Sequence, residues 1–419
     1  MDIHDLVMRA SIDQYEKLPK TGKPKENEWT IMSSIVGAFQ DTDKINLVVL
    51  SLGTGSKCIG RSFMSPGGDV LNDSHSEVIA RRGFLRYLYT ELIRLNECNS
   101  SDIFYRIDAS SYRVGVKDSV KFYFTSTASP CGDASIIPKA DNQSDIKEFT
   151  DESLGRIITQ HTDSEEPPCK RIRNEETQDI HRTGAKCLPS SEIQDPLLPG
   201  VNYHQTGAVR TKPGRGDPTL SVSCSDKLAR WNAVGIQGAL LSIFIEKPIR
   251  MEMIVIGGGC PYSNSSCDRA INQRTGNVRT VTVRQSDSIF PDLKSDKKVL
   301  PSASSIIWYK GGAAEVSVNG RRQGTTKKNL HKKTARTCIC KKNLLTLFAE
   351  VVNGLSEKQE LLEILTGDPR ANSIKHLTYR ELKSKATNYI CEWENVKNKY
   401  LKVWTQKPEC LLNFKISDE

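Results

Sequence analysis

The chain has 419 residues, 37% of them hydrophobic, with 59 Lys and Arg against 50 Asp and Glu for a formal net charge of +9. That length allows one large domain or two to three ordinary ones, and the modest positive balance suits a polyanionic partner without identifying one. Residues 1–10 carry Asp2, Asp5 and Arg9 with no apolar stretch of signal-peptide length, and no run reaches the roughly 18 to 20 apolar residues of a membrane span. The expectation is a soluble protein inside the cell, in cytoplasm or nucleus, with no membrane partner. In that reducing setting the 12 cysteines should not form a disulfide framework. Most should be buried small side chains, leaving a few to bind metal.

In chain order, residues 1 to about 138 read as mixed helix and strand. Residues 45–52 form an apolar run of strand length, and residues 120–125 another. Between them, a stretch beginning near His75 places Val78, Leu85, Leu88, Tyr89 and Leu92 at helical spacing. Residues from about 139 to 200 are rich in Asp, Glu, Ser, Thr, Gln and Pro and lack periodicity, which predicts a long solvated insertion. Its run Lys170-Arg171-Ile172-Arg173 reads as solvated charge or as a nuclear-import signal, the first being the more ordinary reading. From about 201 to 419 the pattern is globular again, with a long helix candidate over residues 226–245. No internal repeat and no appended RNA-binding module is visible.

Three segments carry chemistry. His75 and Glu77 stand in Leu71-Asn72-Asp73-Ser74-His75-Ser76-Glu77-Val78, at the start of the helical stretch; alone, such a pair is common by chance. In Ser129-Pro130-Cys131-Gly132-Asp133 a strand runs into a turn that sets a thiol near an expected helix start. Helix N-termini favour thiolate over thiol, as metal ligation requires. Together the two match the H-x-E…P-C signature of zinc nucleobase deaminases. The second cysteine of that signature is missing, since position 134 is Ala134. A catalytic zinc needs three protein ligands and an open position, so the third must come from elsewhere. Cys224, just before a helix with Ser225 and Asp226 as possible caps, is the candidate.

The segments LNDSHSEVIARR, SPCGD and SCSDKLARWN, which end at Arg82, Asp133 and Asn232, closely resemble the deaminase domain of the RNA adenosine deaminases. That family comprises double-stranded-RNA editing enzymes and tRNA-specific enzymes. Gly53-Thr54-Gly55-Ser56-Lys57-Cys58 and Gly235-Ile236-Gln237-Gly238 add to the likeness, which runs from about residue 30 to Trp404-Thr405-Gln406-Lys407-Pro408, the insertion excepted. The resemblance implies a cytidine-deaminase-like, three-layer α/β fold with a mixed sheet. It would form one deaminase domain over 1–419 (core about 30–138 and 201–410), enlarged by a C-terminal half that encloses an inositol phosphate. It implies that His75, Cys131 and Cys224 hold Zn2+ with water in the fourth position. Glu77 would carry protons from that water to ring N1 and then to the leaving amine, turning adenosine into inosine. Ser76 departs from the alanine common in the family at that place, and is small enough to preserve the geometry.

Arg82 falls on the apolar stripe and Arg81 at its edge, while Lys227 and Arg230 share a face with Val234 and Leu241. Such charges either reach along the surface to water or surround a buried anion. The resemblance implies inositol hexakisphosphate, held by Arg81, Arg82, Lys227, Arg230 and Asn72, and from the C-terminal part by Lys341, Tyr379, Lys383, Trp404 and Lys407. Asp73 and Lys227 would link the metal ligands to it. The implied RNA contacts are Ser56, Lys57, Lys212 and Arg215, with Lys212 and Arg210 on phosphate. Arg215 stands where the editing enzymes carry a base-flipping glutamate; it either stacks on RNA of a preformed loop or is solvated. That loop, the basic run from Gly320 to Lys328 and the missing duplex-binding module favour the tRNA-specific branch. Its task is deamination of adenosine 37, immediately 3′ of the anticodon of tRNA-Ala, and no obligate protein partner is expected. The rivals are a deaminase for double-stranded RNA without binding modules, and a catalytically dead relative that binds RNA or an inositol phosphate. Intact Glu77 and the three ligands argue against the last.

Overall fold

The computed structural model describes residues 1–41, 44–108, 111–139, 179–214 and 217–416. Alternation along the apolar runs builds a sheet that is covered on both faces. In Val120–Ser126, Phe122 and Phe124 enter one core and Tyr123 the other; in Met251–Gly258, Ile254 and Ile256 are separated in the same way from Val255. The sheet has eight strands, ordered Thr282–Ile289, Met251–Gly258, Val120–Ser126, Met32–Asp41, Lys44–Thr54, Ser304–Tyr309, Glu315–Val318 and Arg321–Arg322. The first two pairings are parallel and the rest antiparallel, so the sheet is mixed as expected.

Helix α1 (Ile3–Lys17) covers one face through Val7, Met8, Ile12 and Tyr15. Helix α2 (Ser76–Cys98) covers the other through Val78, Phe84, Leu88 and Leu92, joined there by α3 (Cys224–Val234). The three layers of the expected α/β fold are therefore present. The single long helix expected over residues 226–245 is not: Gly235 adopts φ +90°, a conformation that ends α3, and the four-residue α4 (Gly238–Leu241) follows. Apolar periodicity continues across the break, which is why the sequence reads as one helix. Helices α5 (Asn264–Ile271), α6 (Lys341–Asn353), α7 (Lys358–Thr366), α8 (Tyr379–Ser384) and α9 (Thr387–Tyr400) complete the α-helical part. Leu345, Phe348, Leu382 and Tyr389 from this C-terminal half belong to the same core as α2 and α3.

The insertion is also shorter than expected. Ile180–His181 pairs antiparallel with Ile137–Pro138, and Lys186–Cys187 with Arg210–Thr211. Ile180, Ala185, Cys187 and Leu188 are buried, so residues 179–200 belong to the folded body despite their polar composition. Cys169 and the Lys170–Arg173 run lie outside the described residues. Among the described residues, no helix is long and apolar enough to cross a membrane.

Candidate metal centre and the cavity behind it

His75 closes a short strand, Asp73–His75, that pairs antiparallel with Ser56–Cys58 and sets Ser56 opposite His75. The next residue starts α2, so a strand delivers the imidazole and a helix delivers Glu77. Cys131 sits in the turn after Val120–Ser126. Gly132 follows at φ +104°, and a Cβ there would stand 2.2 Å from Ser223 Oγ, so glycine is what lets the two cysteine turns meet. The helix expected after Cys131 is only a 3-10 turn, Asp133–Ser135. The turns are tied directly: Ser225 N donates to Cys131 O at 3.0 Å and Ala134 N donates to Ser225 Oγ at 3.1 Å. Cys224 is the first residue of α3, and its cap is Ser223, which accepts Asp226 N, not Ser225 or Asp226.

His75 Nδ1 lies 3.6 Å from Cys224 Sγ and 3.8 Å from Cys131 Sγ, and the three ligand atoms all fall within 4.8 Å of one another. Zinc bonds of about 2.3 Å to sulfur and 2.0–2.1 Å to nitrogen place tetrahedral N and S ligands about 3.6 Å apart. One imidazole and two thiols at this spacing therefore fit a tetrahedral ion that accepts soft ligands, as zinc does. Cys131 is the thiol held below its ordinary range: its hydrogen bond with Cys224, Lys212 and His75 together outweigh burial. Glu77 is 3% exposed, and its Oε2 accepts a hydrogen bond from Ser76 Oγ at 3.2 Å.

Lys212 corrects the expectation that it meets RNA phosphate. It is 2% exposed, and its Nζ donates to Asp73 Oδ1 and Oδ2 at 3.0 and 2.8 Å and to Cys224 Sγ at 3.1 Å. Burial opposes its charge, but Asp73, Cys224, Cys131 and Glu77 hold the ammonium well above its ordinary value. Arg210 is likewise 0% exposed, donating to both carboxylate oxygens of Asp195 at 2.6 and 2.7 Å. Both residues lie where the chain threads between the insertion and α3, so their basic character serves buried pairs. Lys227 Nζ bonds the same Asp73 carboxylate as Lys212. Burial pushes Asp73 up, yet Lys212, Lys227 and His75 hold it far below the usual carboxylate range. The expected link through Asp73 and Lys227 exists, and Lys212 is the member that carries it to a metal-ligand candidate. Two further supports escaped sequence reasoning. Arg269 pairs with buried Asp133 at 3.1 Å and Arg274 with buried Asp226, pinning the residues that follow each cysteine. A buried aspartate beside each cysteine signals a need for a cation, but not which of the 59 basic residues answers it.

Behind this centre lies a cavity of about 760 Å³. Asn72, Arg81, Arg82, Lys227, Arg230, Lys341, Tyr379, Lys383, Trp404 and Lys407, the ten residues assigned to a buried anion, all line it. Among the described residues, ten Lys and Arg side chains line the cavity against one carboxylate, Asp73. Arg81 and Arg82 turn inward, donating to Ile236 O at 2.8 Å and Ile339 O at 2.7 Å, so they do not reach along the surface. Arg230 stacks 4.1 Å over the Trp393 ring, and its buried Nε has no hydrogen-bond acceptor. Burial, then Lys407, Arg82 and Lys383, push the Lys341 ammonium down to about 6. Burial and the same kind of neighbours push Lys407 down to about 8. Such crowding of like charge fits a polyanionic ligand.

Of the residues assigned to RNA, Ser56 and Lys57 are half-buried on the strand beside His75, and Arg215 lies outside the described residues. In the basic run, Arg321 pairs with Asp69 at 3.2 Å and Arg322 with Glu315 at 2.8 Å, while Lys327 and Lys328 are exposed.

The adenosine-deaminase (editase) domain family matches residues 51–408. The chain is 37% identical to tRNA-specific adenosine deaminase 1 of Drosophila melanogaster, over 97% of this chain and 96% of that one. It is 32% identical to tRNA-specific adenosine deaminase 1 of Homo sapiens, over 95% and 97%. Identity to the double-stranded RNA-specific adenosine deaminase of Mus musculus is 28%, over 61% of this chain and 19% of that one. With the three ligand candidates and Glu77 inside the matched span, the chain belongs to the adenosine-deaminase (editase) family and is an enzyme that deaminates adenosine.

Proposed function

We propose that the chain converts adenosine to inosine in tRNA by zinc-dependent hydrolysis, at adenosine 37, immediately 3′ of the anticodon of tRNA-Ala. The observation that carries the chemistry is the convergence of His75 Nδ1 and two cysteine sulfurs within 4.8 Å, with the buried Glu77 carboxylate two residues along the chain from His75. In the reaction a water oxygen bonds to C6 of adenine and the C6–N bond breaks, its electron pair leaving with nitrogen. Glu77 takes one proton from the water and passes it to N1, then passes the second to the amine. Inosine and ammonia depart and the carboxylate is restored. Zinc held by His75, Cys131 and Cys224 supplies a cation that lowers the pKa of water from 15.7 toward about 7. Lys212 and Asp73 hold the Cys224 side of the centre in place.

The tRNA reading is supported by relatives matched from end to end, whereas the duplex-specific relative is matched over part of its length. A base in a stacked duplex must be flipped out, while one in an anticodon loop is already exposed. Ser56, Lys57 and Arg215 are proposed as RNA contacts. Inositol hexakisphosphate is the proposed occupant of the cavity, supported by its ten cations against one carboxylate. The test is inosine formation on whole tRNA-Ala, its anticodon stem-loop and a long duplex at fixed salt. The expected order is tRNA, then stem-loop, with duplex lowest; equal efficiency on all three removes the tRNA reading and leaves the deaminase chemistry standing.

A further inference from the structure

Ser76 places a fully buried hydroxyl between a metal-ligand candidate and the proton carrier. Buried hydroxyls need partners, and this one has two. Its Oγ donates to Glu77 Oε2 at 3.2 Å and lies 2.8 Å from Ser33 Oγ. A hydroxyl has one proton to give. With that of Ser76 directed at the carboxylate, the proton in the Ser33–Ser76 bond must come from Ser33. Ser33, also fully buried, stands mid-sheet in Met32–Asp41, opposite Gly53 on one side and Ser126 on the other. Its neighbour Ser34 bonds instead to Ser11 of α1 and to Thr125, so the strand splits its two hydroxyls between the two faces. Gly53 explains the reach: a Cβ there would stand 2.5 Å from the Ile79 side chain and 2.8 Å from Ala80 N, so α2 lies directly on the sheet at this point.

We propose that Ser33 and Ser76 are positioning residues that hold the Glu77 carboxylate from the floor of the sheet, an inference that rests on the proton-carrying role of Glu77. The terminal carboxylate torsion of glutamate is broad and roughly two-fold, so an unheld group samples orientations that present neither oxygen to the reacting atoms. The two-hydroxyl chain engages Oε2 as an acceptor and leaves Oε1 for the proton that travels from water to N1 and to the amine.

The test uses the full-length zinc-loaded enzyme with Ser33→Ala, Ser76→Ala, the double variant and Glu77→Gln on a tRNA substrate. Ser76→Ala should lower kcat about tenfold, the worth of one hydrogen bond to a charged group, and Ser33→Ala by a smaller factor, since it leaves the Ser76 bond to Glu77 in place without its brace, with KM and zinc content unchanged in both. The double variant should fall no further than Ser76→Ala alone, because without the Ser76 hydroxyl that of Ser33 no longer acts on the carboxylate. Additive losses, unchanged kcat, or losses that track zinc content or melting temperature overturn the proposal. If Ser76→Ala does not fold, Ser33→Ala alone decides it, and an unchanged kcat there overturns the proposal. Full activity in Glu77→Gln removes the proton-carrier reading itself; inactivity there with wild-type kcat in both serine variants removes only the relay.

Discussion

The metal centre and the cavity behind it share Asp73 and Lys227 but handle charge in opposite ways. Around the centre every buried charge has a partner from the chain: Lys212 with Asp73 and Cys224, Arg269 with Asp133, Arg274 with Asp226. In the cavity, cations crowd one another and the only carboxylate among the described residues that line it is already engaged. A buried charge is costly unless paired. The charges around the centre are thus matched by the chain's own side chains, while the cavity carries an excess of cations that a ligand bringing negative charge would offset.

The largest effect should come from the centre. Glu77→Gln should keep metal at full stoichiometry and lose about 10²- to 10⁴-fold in turnover, measured by inosine formation beside elemental analysis; a variant with a tenth of wild-type turnover contradicts the role. In the same assays Cys224→Ala should lose metal as fully as Cys131→Ala, and Cys187→Ala should keep it. Metal loss from Cys187→Ala in place of Cys224→Ala would reverse the ligand assignment.

The contrast in charge is sharpened by removing one charge from each region. Asp73→Asn leaves Lys212 and Lys227 buried without their counter-charge and should cost about 3–5 kcal/mol of stability. Lys341→Met removes an amine whose charged form the ligand-free cavity opposes, and should cost far less. Denaturant unfolding of the two variants compares them, and equal losses would erase the distinction between the regions.

Acidity probes the cavity more gently. Lys341 is depressed from 10.5 to about 6 and Lys407 to about 8, whereas in the unfolded chain both stay protonated to well above pH 9. Across that window the unfolded state binds more protons, so these two groups make the ligand-free protein more stable as pH rises from about 6. A polyanion requires both ammoniums charged. Its binding should take up protons and weaken as pH climbs from about 6 to 9. Calorimetry with inositol hexakisphosphate in buffers of different ionisation enthalpy measures this; proton release, or no transfer, contradicts it.

The smallest effects belong to the surface. Arg322→Ala and Lys328→Ala should each weaken tRNA binding modestly and lower the salt slope by about one. An unchanged slope in both would take the basic run out of the RNA interface.

Much of the centre could be read from residues in order, because each ligand candidate stands at or just before a helical start: His75 before α2, Cys131 before the turn Asp133–Ser135, and Cys224 as the first residue of α3. Lys212 shows where such reading stops. A lysine in a basic, glycine-containing stretch looks like a phosphate contact, and only the pairing of Arg210–Thr211 with Lys186–Cys187 reveals that this stretch runs inside. Residues 179–200 escape such reading for a related reason, since two-residue strands give no measurable alternation. Gly235 breaks a helix that apolar spacing alone would continue.

Local order and the nature of the side chains were thus enough for the deaminase motif and the surplus of cations on α2 and α3, and the family resemblance for the mixed three-layer fold. They could not assign partners. Which hydroxyl meets Ser76, which arginine meets Asp133 and which lysine reaches Cys224 depend on contacts 43, 136 and 12 residues apart in the chain. Side-chain type determines what a group needs, and a buried hydroxyl or charge always needs a partner; which partner it finds is set by the strands and helices that packing brings within 3 Å or so.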